Sequence, residues 1–164
     1  MGSLDFDHLL FLDGAMGTVL QQRGLPAGGQ PELLNLTQPE LLRQIYREYI
    51  EAGSQIIYAN TFGANGHKLA RTGHGVAEVI TAAVRIAKEA AEGTGVLVAL
   101  DIGPRGELLE PMGTLAVEDA YDAFAEIVRA GRDHGADLVV IETMTDLYEV
   151  RAAVLAAKEN SDLP

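Results

Sequence analysis

Short apolar runs alternate along this chain with longer stretches whose apolar residues recur every three or four positions. Residues 8–13 (HLLFLD), 55–60 (QIIYAN), 96–101 (VLVALD) and 138–143 (LVVIET) are the short runs. Continuous apolar strands of this length suit a sheet buried on both faces. Residues 14–24 predict a short helix closed by Gly24. Thr37-Gln38-Pro39-Glu40 has the form of a capping box, a hydroxyl residue followed by proline in the first turn and Glu at the third position. The helix it predicts carries Leu41, Leu42, Ile45 and Tyr49 at helical spacing and stops near Gly53. Residues 76–92, 117–134 and 147–159 predict three further helices. The order is β-α-β-α-β-α-β-α, which implies parallel strands covered by helices.

All four runs end in polar residues: Asp13, Asn60 with Thr61, Asp101, and Glu142 with Thr143. In a parallel sheet those ends share one rim, where α/β folds place their sites. Each group has a plainer reading. Asp13 stands as a cap for the helix after Gly14 as readily as a ligand. Asp101 reads somewhat better as a cap for the turn at Gly103-Pro104. Glu142 has less claim to capping, because the next helix starts nearer Thr145 or Asp146. A buried carboxylate without that duty needs a cation or several donors. Asn60 and Thr61 favour a structural role.

Composition narrows the choice. With 164 residues, 48% of them hydrophobic, the chain suits one globular domain, residues 1–164. A net charge of −12 disfavours nucleic acid as a partner. No apolar run approaches the roughly 20 residues of a membrane helix. The start, MGSLDFDHLL, lacks the basic and apolar regions of a leader, so a cytoplasmic location is expected. With no cysteine there is neither a disulfide nor a thiolate metal site. The four histidines are scattered without metal-ligand spacing, and exposure is expected for them. Arg105, near the rim, reads as solvated, and Met16 and Met112 as core. The 14–17 stretch (GAMG) lacks the rest of a phosphate or dinucleotide loop, and Asp13 would repel a phosphate there.

Five runs in order carry a resemblance: LDGAMGTVLQ (12–21), PELLNLTQPE (31–40), ANTFGAN (59–65), DIGPRGEL (101–108), and IETMTDLYE with AAVLAAKE (141–159). Together they resemble the homocysteine S-methyltransferase family, over residues 9–164. The resemblance implies a (β/α)8 TIM barrel, of which this chain would hold the first four β/α units, a half barrel. It implies methyl transfer to the thiol of homocysteine, giving methionine, with methylcobalamin among the methyl donors it allows. It implies that Asp13 and Glu142 hold the substrate amino group, with Gly14 and Thr143 beside them and Asn60 and Thr61 shaping the pocket. The family binds its substrate thiol on zinc held by cysteine thiolates. Those thiolates lie on later strands, so this chain alone is expected to be inactive and to bind no zinc. An unclosed barrel leaves strand edges and an inner face open. The missing barrel half or a second copy is therefore the expected partner. The rival reading is a non-catalytic half-barrel module that self-associates.

Overall fold

The computed structural model describes residues 8–164. The acidic start of the chain lies outside them. Three strands, β1 (Ile56–Tyr58), β2 (Leu97–Ile102) and β3 (Leu138–Ile141), form one parallel sheet in the order β1-β2-β3. Residue Tyr58 is level with Ala99, and Asp101 with Val140. The first apolar run is not a full strand. It pairs beside β1 through a single parallel bridge, Leu12 with Ile56. Phe11 O accepts from Gln55 N at 2.7 Å, and Asp13 N donates to Ile56 O at 3.0 Å.

The helices in chain order are α1 (Met16–Gln22), α2 (Leu34–Thr37), α3 (Pro39–Glu51), α4 (Gly66–Leu69), α5 (Val76–Ala91), α6 (Val117–Asp133) and α7 (Leu147–Asn160). The three long helices after β1 fall within a residue of their expected bounds. The capping box does not form. Thr37 ends α2 and donates its hydroxyl to Leu33 O, while Gln38 stands at the start of α3 without a side-chain bond. Proline at the first position of α3 supplies the preset φ instead. Asp146 does cap α7, accepting from Tyr148 N at 2.7 Å.

Alternation along the strands sorts their side chains onto two faces. Val98, Leu100 and Ile102 of β2 enter the main core with Val79, Ala83, Phe124 and Val128. Gly131 lets α6 approach β2, since a Cβ there would come within 2.5 Å of Leu100 Cδ2. The other face carries a small cluster of Ile56, Ala99 and Leu138, flanked by Leu10, Tyr58, Leu97 and Val140. That face is open at Tyr58, Leu97 and Val140, which are half-buried, and β3 is buried fully only at Leu138, with Val139 and Ile141 half-buried on the opposite face. Burial on both faces, expected for every strand, therefore holds for β2 and not for β3. Along the outer edge of β3, Val139 N donates to Pro164 O at 2.9 Å.

Candidate functional site

The C-terminal ends of the strands surround a cavity of about 450 Å³. Asp13 arrives from the run beside β1, Asp101 from β2 and Glu142 from the end of β3. Asn60, Gly14 and Thr143 also line it. Thr61 does not. It is buried, its hydroxyl donating to Asp101 O at 2.7 Å and accepting from Asp101 N at 3.1 Å. It ties the end of β1 to β2. Asn60 lines the cavity but spends its groups on the loops, donating from Nδ2 to Pro31 O at 2.8 Å and Asn35 Oδ1 at 3.0 Å. The buried Tyr46 hydroxyl accepts from Asn60 N at 2.8 Å.

Asp13 does not cap α1, whose first residue follows Ala15 without a side-chain bond. Its Oδ2 accepts from Tyr58 N at 3.0 Å, and its buried Oδ1 has no partner among the described residues. Burial pushes its carboxyl up to about 7; the bond from Tyr58 opposes this, and the nearby Glu142 adds to it. Asp101 does not cap the Gly103 turn. It is 6% exposed, on the open-face parity of Leu97 and Ala99, and its buried Oδ1 has no partner among the described residues. Burial, then the charges of Glu142, Asp13 and Glu32, push it up to about 8. Glu142 is free of capping duty, since Asp146 serves α7. Thr143 beside it has a φ of 57°, a left-handed backbone that is uncommon outside glycine.

Three lining residues carried no sequence signal. Glu32 is buried and accepts from Gly63 N at 2.7 Å. Tyr58 and Phe62 wall the cavity. Nothing in their local spacing marks them, because long-range packing brings them to the rim. Gly103 is what admits Phe62: a Cβ there would lie 2.5 Å from the Phe62 ring. Gly14 is similarly close to Tyr49, whose Oη would be 3.1 Å from an added Cβ. No Lys, Arg or His is among the described residues that line the cavity. A half-open site lined by four acids and, among the described residues, no base favours a cation and disfavours a phosphate.

Several other residues differ from expectation. Arg105 is not solvated; its guanidinium donates to Glu107 Oε2 at 2.8 Å and Asp119 O at 3.1 Å. The buried Glu149 accepts from Arg105 N at 2.8 Å, which braces the loop after β2 on α7. Met112 is 80% exposed rather than core, and Met16 packs on the core while lining the cavity. His67 and His134 are exposed as expected, whereas His74 is half-buried beside Glu78. No helix among the described residues is long and apolar enough to cross a membrane.

Comparison with known proteins extends this picture. A family model described as homocysteine S-methyltransferase matches residues 10–164. The methionine synthase of Mycobacterium leprae is 36% identical over 163 residues, covering 89% of this chain and 13% of the relative. That of Mycobacterium tuberculosis is 34% identical over 161 residues, with the same coverage. The chain thus spans 13% of the length of these curated relatives. Among solved structures, the homocysteine methyltransferase MmuM from Escherichia coli in its oxidized form superposes with a TM-score of 0.81 at 27% identity. The match covers 92% of this chain and 58% of that one. Its metallated form gives 0.80 at 28% identity, covering 93% and 60%.

Proposed function

The chain belongs to the homocysteine S-methyltransferase family, and from that premise we propose that it is the part of such an enzyme that holds the amino-acid end of homocysteine. On this reading the chain forms the first four β/α units of a (β/α)8 barrel. The parallel register of β1, β2 and β3, the bridge at Leu12 and the superposition on the E. coli enzyme support that architecture. Asp13 and Glu142 receive the ammonium group, with Gly14 and Thr143 at its side and Asn60 holding the wall. The parent reaction transfers a methyl group to the homocysteine sulfur, giving methionine. Within it these residues bind and orient the substrate, and Phe62 with Met16 screens it from water.

The observation that carries this reading is the enclosed, partnerless Oδ1 of Asp13 in a cavity it shares with Glu142. An ammonium group offers the donors these acids lack. The chain has no cysteine, and the described residues contain no group of three or more His, Cys, Asp or Glu that could hold a metal. The donors present do not fit zinc. The chain alone is then a binding unit without methyl-transfer activity. Calorimetry with L-homocysteine tests this: binding that is lost in Glu142→Ala is expected, and affinity unchanged by that substitution would refute the assignment.

The open apolar face favours a second reading, self-association. Leu10, Leu12, Ile56, Leu138 and Val140 line an apolar hollow of about 410 Å³, and Leu12 is 43% exposed beside it. Covering such a face with a second copy removes apolar surface from water. Sedimentation at rising concentration is expected to show a dimer that Leu12→Glu dissociates. A wild-type monomer at all concentrations would rule this reading out.

A further inference from the structure

We propose that Asp101 is a third ligand of the substrate's ammonium group and makes the site select an unsubstituted primary amine. The inference rests on the reading of this cavity as the amino-acid site and goes beyond it, since that reading needs only Asp13 and Glu142. An ammonium group has three N–H donors arranged around one nitrogen. Three carboxylates, from the run beside β1, from β2 and from the end of β3, face the same cavity. Asp101 is the most buried of them, 6% exposed, and its buried Oδ1 has no donor among the described residues. No structural duty explains it. The turn it would cap takes nothing from it: Gly103 N donates to Phe62 O. The backbone of Asp101 is meanwhile fixed on both sides by the Thr61 hydroxyl, so its side chain is held at the cavity wall.

The surrounding charges agree with a site completed by a cation. Glu142, Asp13 and Glu32 all act on Asp101, Tyr58 stands beside them, and no base among the described residues lines the cavity. Without a cation, burial and these neighbours keep the Asp101 carboxyl protonated at neutral pH, since it is pushed up to about 8. An arriving ammonium supplies the missing donors, and the carboxyl proton leaves to solvent as the ion pair forms. Replacing one N–H by a methyl group would leave one of the three acids without a donor and place apolar bulk against it.

Calorimetry on the 164-residue chain provides the test, with L-homocysteine, N-methyl-L-homocysteine and 4-sulfanylbutanoate, which has no amino group. The wild type is expected to prefer homocysteine to both analogues by about tenfold or more. Asp101→Asn is expected to lose most of that preference while its affinity for 4-sulfanylbutanoate stays nearly unchanged. If Asp101→Asn keeps the wild-type preference, Asp101 is no ligand and the two-acid site stands. If the wild type binds homocysteine no better than 4-sulfanylbutanoate, or binds neither, the amino-acid reading fails and this inference with it. A second measurement needs no variant. Homocysteine binding at pH 7 should release protons, seen as a heat that changes with the ionisation enthalpy of the buffer. A buffer-independent heat would contradict the proposal.

Discussion

Two aspartates dominate the chemistry at the scale of single residues. Unfolded, each ionises near the ordinary carboxyl value of about 3.9. Folded, Asp13 ionises near 7 and Asp101 near 8. The folded state therefore holds more protons than the unfolded chain between these values. Stability from this pair is full below about pH 4 and falls as the pH rises toward 8. Denaturant midpoints measured across that range should drop, and Asp101→Asn should flatten the fall; an equal slope in that variant would show that Asp101 is not the group responsible. Tyr46→Phe should cost about 1–3 kcal/mol, because Asn60 N would lose its buried acceptor. Local sequence carried part of this. Asp13 and Glu142 were legible because each ends an apolar run at the rim. Asp101 was equally placed but read as a turn cap, since capping depends on side-chain direction, and only strand parity turns it toward the cavity.

Helix and strand boundaries follow the same logic one level up. The long helices were legible because their apolar stripes and terminal glycines act locally. The capping box at Thr37 was not, because Thr37 already belongs to the preceding turn and bonds back to Leu33 O. This separates two substitutions. Asp146→Ala should cost about 1 kcal/mol by removing the cap of α7. Thr37→Ala should stay within about 0.5 kcal/mol. Equal losses in thermal or chemical unfolding would contradict this placement of the caps. Gly103→Ala should displace both the Phe62 ring and the Phe62 carbonyl that accepts from Gly103 N, lowering stability and homocysteine binding together. The first apolar run pairs through one bridge only, since it has a neighbour on one side and an open face on the other. Its apolar pattern alone could not reveal that.

For the whole molecule, parallel strands are the device that makes a site. Residues 13, 101 and 142 lie far apart in sequence, yet one sheet brings their side chains to one cavity. Parallel order was legible from the alternation of runs and helices, because a crossover helix between neighbouring strands enforces it. What covers the open face of Leu10, Ile56 and Leu138 was not, because it depends on surface outside these elements. The convergence of the acids is the claim on which the functional reading stands. Carbon-detected NMR titration of the Asp13 and Asp101 carboxyls, in the wild type and in Glu142→Gln, measures it directly. Both should titrate well above the usual carboxyl range, near 7 and 8, and both should move down when the Glu142 charge is removed. Ordinary values near 4 for both, unmoved by Glu142→Gln, would mean that the three acids do not share one site.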